Sequence, residues 1–75
     1  MIHEHDRIVL LNDLTSEGLK RGDVGTVIHV HGENEAYEVE FLTLGGETVS
    51  IATLTAAQVR PIDRHEIAHA RLMTA

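Results

Sequence analysis

Residues His65 to His69 match the pattern H-E-x-x-H, which occurs in many zinc peptidases. In those enzymes the two histidines lie one helical turn apart and bind Zn²⁺, while the glutamate acts as a general base. This chemistry requires a rigid helix in a cleft, a third ligand and a substrate groove, but the motif lies near the end of a chain of 75 residues. We therefore predict a solvated helix face, no catalytic residue and no enzyme.

Two other histidine pairs have the spacing His-x-His, which in a strand places both side chains on one face. They are His3 with His5 and His29 with His31. Such a pair can chelate Zn²⁺, Ni²⁺ or Cu²⁺, but we favour a polar outer face on which His29 pairs with Glu38. We predict no cofactor and no metal site. Metal binding remains an alternative hypothesis, and its candidate ligands are His29, His31, His65 and His69.

Glutamates are concentrated in the middle of the chain, at positions 33, 35, 38, 40 and 47. Most are expected to be solvated. Glu40 differs because we expect it beside the apolar Val27 and Leu42, and a carboxylate among exposed apolar side chains is typical of an interface. A basic protein, or a second copy of this chain, would be the partner. The predicted partner-binding residues are His29, Glu33, Glu35, Glu38, Glu40 and Leu42.

The composition excludes several common functions. Lys and Arg total 6 against 12 Asp and Glu, so the net charge is −6, and weak nucleic-acid binding through Lys20 and Arg21 is only an alternative. Tyr37 and Phe41 are the two aromatic residues, and both are predicted in the core, which excludes polyproline grooves and methyl-lysine cages. The chain has no cysteine and no recognisable signal peptide or apolar span, so a cytoplasmic location is expected.

Short apolar runs separated by Gly, Asn and Asp predict strands. We predict strands at 7–11, 24–31, 36–43, 47–54 and 59–62, with a long loop at 12–21 and a capping box at 55–58. Residues 63–75 are predicted as a C-terminal helix or, alternatively, as an extra strand or a loosely held tail. One domain over residues 1–75 is expected, with an all-β fold: a small five-stranded SH3-like barrel.

The first hairpin has a loop at 32–35, and its register follows from the apolar faces, because a slip of one residue turns every side chain over. This predicts Ile28 opposite Val39 on the core face and His29 opposite Glu38 on the outer face.

The second hairpin allows two registers. A two-residue turn at 45–46 would pair Phe41 with Ser50. A three-residue loop at 44–46, with a left-handed glycine and a bulge, would pair Phe41 with Val49, and we favour it because it buries more apolar side chains.

Four segments of the chain together resemble a family of small bacterial proteins known as a domain of unknown function. They are Asp6–Leu10, Gly18–Val27, Glu35–Phe41 and Val59–Pro61, with the sequences D-R-I-V-L, G-L-K-R-G-D-V-G-T-V, E-A-Y-E-V-E-F and V-R-P. The resemblance covers residues 1 to about 71 and implies an SH3-like barrel without an established activity. Small toxin-like proteins encoded beside some members favour a partner-binding role. The expected function is a non-catalytic protein-interaction module, such as an antitoxin-like or accessory subunit.

Overall fold

The computed structural model describes residues 1–73, which form a mostly β fold around one antiparallel sheet. The strands are β1 (Arg7–Leu10), β2 (Val24–His31), β3 (Ala36–Leu42), β4 (Thr48–Thr55) and β5 (Val59–Pro61). Their order in the sheet is β4-β3-β2-β1-β5, so β4 and β5 are the two edges and closure into a barrel is not detected over this range. Within it, no helix is long and apolar enough to cross a membrane.

The core is built from alternating aliphatic side chains, because successive residues of a strand point to opposite faces. In β1 both faces are covered, as the sequence predicted, and Ile8, Val9 and Leu10 are all buried. Tyr37 and Phe41 are buried in β3, which confirms that both aromatic residues belong to the core. The fully buried side chains are Ile8, Leu10, Val27, Val39 and Leu54.

The β2–β3 hairpin follows the predicted register from its loop to the pair His29–Glu38 and then departs from it. A β-bulge at Ile28 adds one residue to β2, so that Val27 lies opposite Val39. Val27 is therefore fully buried, whereas Ile28 is 40% exposed. The predicted pairing of Ile28 with Val39 is wrong.

The bulge is needed because the two halves of β2 turn alternate sets of residues toward the core. Near its start, Gly25 lies opposite Ile8 on the core face, and a Cβ there would come within 2.5 Å of Val39 and 2.9 Å of Phe41. Near its end, Val30 lies opposite the buried Tyr37. Because odd-numbered residues face the core in the first half and even-numbered ones in the second, one extra residue must separate them.

The β3–β4 hairpin has the predicted three-residue loop over residues 44–46. The amide of Thr43 donates to the carbonyl oxygen of Glu47, and Gly46 adopts the left-handed conformation with φ of 89°. Glycine adopts a positive φ without the steric cost that a Cβ imposes, which explains the residue at this position.

Beyond this loop the register shifts. Leu42 lies opposite Thr48, as the loop requires, but a bulge at Val49 then places Phe41 opposite Ser50. The predicted pairing of Phe41 with Val49 is therefore wrong. The turn determines the register only as far as the first irregularity of the strand, and Val49 becomes the unpaired residue.

The connections on either side of these strands follow the sequence predictions. In the long loop between β1 and β2, Leu14 and Leu19 form an isolated β-bridge, and Leu19 is buried. The capping box between Thr55 and Gln58 is present and opens a short 3₁₀ turn. β5 is short and ends at Pro61 on an edge of the sheet, where a missing backbone donor is tolerated.

Residues 63–73 form a tail with neither helix nor strand, apart from a turn at 64–65, so over the described residues the C-terminal helix predicted for 63–75 is wrong and the alternative of a tail is observed. A short amphipathic helix is stable only when one face packs on the protein. Here Ile67 and Leu72 are 96% and 86% exposed, so the stripe that would have stabilised a helix lies in solvent. Two ion pairs, Arg60–Glu66 and Arg71–Asp23, hold the tail instead.

Candidate functional site

The outer face of the sheet carries a row of polar side chains that runs across β2, β3 and β4. His29, Glu38 and Thr53 lie opposite one another in adjacent strands, as the sequence predicted for the first two. The histidine bound to Glu38 is, however, His31, whose Nε2 lies 2.6 Å from Oε2 of the glutamate. His29 turns instead to Glu4, with 3.5 Å between Nδ1 and Oε2. The predicted contact between the side chains of His29 and Glu38 is therefore wrong.

Glu38 accepts hydrogen bonds from two side chains of its own chain, and both of its carboxylate oxygens are engaged. The hydroxyl of Thr53 donates to both carboxylate oxygens, at 2.8 and 2.9 Å. The hydrogen bond with His31, together with that from Thr53, holds the pKa of Glu38 below its ordinary value of 4.5. This carboxylate stays ionised, but few of its acceptor positions remain for a partner.

The metal-ligand candidates do not assemble into a site. The rings of His29 and His31 are 4.7 Å apart in an edge-to-face arrangement. Nevertheless, residues 1–73 contain no group of three or more His, Asp and Glu side chains placed to hold a metal ion.

The H-E-x-x-H motif lies in the tail, where His65 and Glu66 have other partners. Without a helix, the spacing of His65 and His69 no longer brings them to one face. Glu66 forms two hydrogen bonds with the guanidinium of Arg60, at 2.7 and 2.8 Å, and accepts the amide of Asp63. These interactions lower the pKa of Glu66 to about 2, which makes its carboxylate a poor general base.

A second row of side chains combines a carboxylate with apolar groups. Thr26, Glu40 and Ile51 lie opposite one another on β2, β3 and β4, and Leu42 follows two residues after Glu40 on the same face. Ile51 is 53% exposed and Leu42 is 46% exposed. We call Glu40, Leu42 and Ile51 the acidic–apolar patch.

The apolar neighbour of Glu40 differs from the predicted one. The sequence predicted Val27 beside it, but Val27 is buried, and Ile51 from β4 lies opposite Glu40 instead. Glu40 itself accepts one hydrogen bond, 2.9 Å from the hydroxyl of Thr48. Unlike Glu38, it therefore retains acceptor capacity toward solvent or a partner. Of the two registers that the sequence allowed, the one that we did not favour, with Phe41 opposite Ser50, places Ile51 opposite Glu40, and the bulge at Val49 produces this pairing.

A groove of about 920 Å³ adjoins the patch, between the β3–β4 hairpin, residues 19–24 and the tail. Glu40 and Leu42 form part of its lining. The apolar side chains that line the groove include Val24, Leu44, Val49, Leu72 and Met73. Its basic side chains include Arg7, Lys20 and Arg21. Residues that the sequence assigned to a partner site and to weak nucleic-acid binding thus line one groove.

Glu33 and Glu35 lie apart from this groove. Both are exposed in the loop between β2 and β3, at the end of the strands opposite to the β3–β4 hairpin. The six predicted partner-binding residues therefore do not form one surface. Glu40 and Leu42 belong to the patch, His29 and Glu38 lie in the neighbouring row, and the two loop glutamates are separate.

The tail forms one side of the groove through an ion pair that sequence reasoning missed. The guanidinium of Arg71 donates to the carboxylate of Asp23 and to the carbonyl oxygen of Gly18. Burial alone would raise the pKa of Asp23, but hydrogen bonds from Arg71 and the amide of Lys20 hold it below 3.8. A pair separated by 48 residues leaves no local signal in the sequence.

The comparisons with known proteins give one match. A family model described as "Domain of unknown function (DUF4926)" matches residues 4–61, which include all five strands. No curated protein and no solved structure matches the chain.

Proposed function

The chain belongs to the DUF4926 family of domains of unknown function, and from that premise we propose that it is a non-catalytic protein-interaction module. It docks through the acidic–apolar patch and the groove beside it. The observation that carries this proposal is that Glu40, with acceptor capacity to spare, lies directly opposite the exposed Ile51 and two residues from the exposed Leu42. A carboxylate bordered by apolar side chains matches the mixed composition of protein interfaces.

The exposed apolar side chains supply the favourable free energy of docking. Leu42, Ile51 and the fully exposed Leu44 lie along the β3–β4 hairpin and its strands. Covering such side chains contributes about 25 cal/mol for each Å² removed from water. A partner that covers them would bury apolar surface that the folded domain leaves in water.

The charges indicate the chemistry of the partner. A Lys or Arg of the partner can meet Glu40, and the net charge of −6 favours the approach of a basic protein. The basic residues that line the groove, Arg7, Lys20 and Arg21, suit an acidic or carbonyl group further along the same segment. We therefore propose an extended, largely apolar segment of a larger protein, in an antitoxin-like or accessory-subunit arrangement.

We also propose that the sheet belongs to the SH3-like barrels. Three features support this: the strand order β4-β3-β2-β1-β5, the long loop between β1 and β2, and the 3₁₀ turn between β4 and β5. An experimental structure in which β4 and β5 diverge as edges of a flat sheet would contradict this assignment.

Photocrosslinking tests the interaction. A photoreactive amino acid replaces Leu42 in one protein and Ile62, which is 37% exposed beyond β5, in a control. In native lysate we expect one crosslinked protein from position 42 that is not obtained from position 62. Introducing Glu40→Lys into the position-42 protein should abolish the crosslink. The matched charge reversal Glu33→Lys, in the distant loop, should leave it unchanged.

The same products from both positions, or a crosslink that survives Glu40→Lys, would show that the patch is not the docking surface.

A further inference from the structure

The edge of β4 is long, and from Ile51 to Leu54, between the bulge at Val49 and the capping box at Thr55, it has none of the features by which proteins protect an edge strand. Proteins block exposed edges with short strands, prolines, charged residues, bulges or a covering segment. β5 follows this rule, since it has three residues and ends at Pro61. β4 has eight residues, T-V-S-I-A-T-L-T, with no proline and no charged residue.

The outward backbone groups of β4 can be assigned from one hydrogen bond. The amide of Thr55 donates to the side chain of Gln58, so it points away from β3. In an antiparallel ladder, alternate residues direct their N–H and C=O groups to the same side. Ile51 and Thr53 therefore also point their backbone groups away from β3. Within residues 1–73, no backbone hydrogen bond from outside the sheet reaches either residue.

From this edge we infer that β4 pairs with β4 of a second copy of the chain, in antiparallel orientation and with Ala52 at the two-fold axis. In this register Ile51 lies opposite Thr53 of the second copy, and Thr53 lies opposite its Ile51. Each of these pairs exchanges two main-chain hydrogen bonds. All four bonds use backbone groups that have no other partner among the described residues. The result is a continuous sheet of ten strands.

The charge distribution is compatible with a second copy as the occupant, although each copy carries a net charge of −6. β4 is uncharged from Thr48 to Thr55, so self-pairing places no like charges directly opposite each other. The carboxylates of β3 are one strand further in, and three strand spacings separate them from their equivalents, about 14 Å. This distance exceeds the Debye length of about 8 Å at physiological ionic strength, so their repulsion is largely screened.

One other carboxylate reaches β4. Glu17 accepts a hydrogen bond from the hydroxyl of Ser50. In the inferred register, Ser50 lies opposite Leu54 of the second copy, four residues along the strand from the second Ser50. The two Glu17 side chains are thus also roughly 14 Å apart along the strand direction. The pairing is independent of the proposed docking, since it uses the edge of the sheet rather than its face.

The test measures mass and amide exchange together. Sedimentation velocity of the wild type, up to about 1 mM, should show a species of twice the monomer mass. Hydrogen exchange by NMR should show protected amides at Ile51 and Thr53, and dilution should remove this protection. The amides of Ala52 and Leu54, which point to β3, should remain protected at every concentration and provide the internal control.

Ile51→Pro separates main-chain pairing from side-chain contact. Because the Ile51 amide points outward, proline there removes an edge donor without removing a bond to β3, and the variant should be monomeric. Ile51→Thr keeps the amide and should still dimerise. A wild type that stays monomeric, or a dimer whose Ile51 and Thr53 amides exchange as rapidly as loop amides, would overturn the inference, and this readout requires no variant to fold.

Discussion

Arg71 and Asp23, 48 residues apart in the sequence, are joined by two hydrogen bonds between the guanidinium and both carboxylate oxygens, with 2.8 Å from Nε to Oδ1. Asp23 lies immediately before β2, so the ion pair connects the tail to the start of this strand. Gly18 accepts a further hydrogen bond from Arg71. Because the tail also lines the groove, this contact determines how open the proposed docking site is.

Arg71→Ala should release the tail while leaving the sheet folded. We expect trypsin to cleave at Arg64 several-fold faster, because the hydrogen bonds of Arg71 join this part of the tail to the sheet. Arg71→Lys keeps the charge but not the bidentate hydrogen bonding and should give an intermediate cleavage rate.

The same release of the tail should occur at low pH in the wild type. The pKa of Asp23 is lowered in the folded state, so the contact stabilises the fold above pH 3.8 and is lost as the pH falls below that value.

An Arg71→Ala protein that is cleaved at the wild-type rate would show that this ion pair does not hold the tail in solution.

Glu66 should titrate near pH 2. The hydrogen bonds from Arg60, followed by that from the amide of Asp63, lower its pKa from 4.5 to about 2. Since the folded-state pKa is the lower one, the interaction stabilises the tail above pH 4.5 and is lost between pH 4.5 and 2. Carbon-detected NMR titration of the Glu66 carboxyl measures this directly. In Arg60→Gln the pKa of Glu66 should rise toward 4.5, and an unchanged value would contradict the arrangement.

Gly25 should tolerate no side chain. A Cβ at this position would lie 2.5 Å from Val39 and 2.9 Å from Phe41, both buried in β3. We expect Gly25→Ala to reduce the free energy of unfolding by about 1–3 kcal/mol through overpacking. Gly45→Ala is the matched control, because its nearest atom would be 3.7 Å away. That variant should change the free energy by less than about 1 kcal/mol. Urea unfolding of both proteins measures the difference.

Because of the bulge at Ile28, substitutions at the adjacent residues Val27 and Ile28 should differ in their effect on the free energy of unfolding. Val27→Thr places a hydroxyl in a fully buried position and should reduce the free energy of unfolding by about 1–3 kcal/mol. Ile28→Thr affects a side chain that is 40% exposed and should cost less than about 1 kcal/mol. Thermal or urea unfolding gives both values. If Ile28→Thr is the more damaging change, β2 is regular in solution and the bulge is absent.

The elements of this fold could be predicted because their signals are local. Five strands, the capping box at Thr55 and the three-residue loop at 44–46 each depend on residues that are close in sequence. Alternation of apolar side chains, turn glycines and a capping pattern are sufficient for such assignments. The family resemblance was visible for the same reason, and the family model covers residues 4–61.

The candidate site could be predicted only in part, because its geometry depends on irregularities inside the strands. Bulges at Ile28 and Val49 buried Val27 and brought Ile51 opposite Glu40. Neither bulge has a sequence signal as strong as a turn glycine. The partner of Glu38 likewise changed from His29 to His31, although the backbone register there was correct.

The sequence by itself determined the β character, the order of the elements, the acidic charge and the scarcity of aromatic residues. The tertiary structure decided which residues share a surface: Glu40 with Ile51, the basic residues of the long loop with the groove, and Arg71 with Asp23. It also decided that the tail is not helical, because the ion pairs Arg60–Glu66 and Arg71–Asp23 hold it in a conformation that leaves Ile67 and Leu72 in solvent. Local patterns specify strands, but contacts between distant residues depend on the packing of the whole chain.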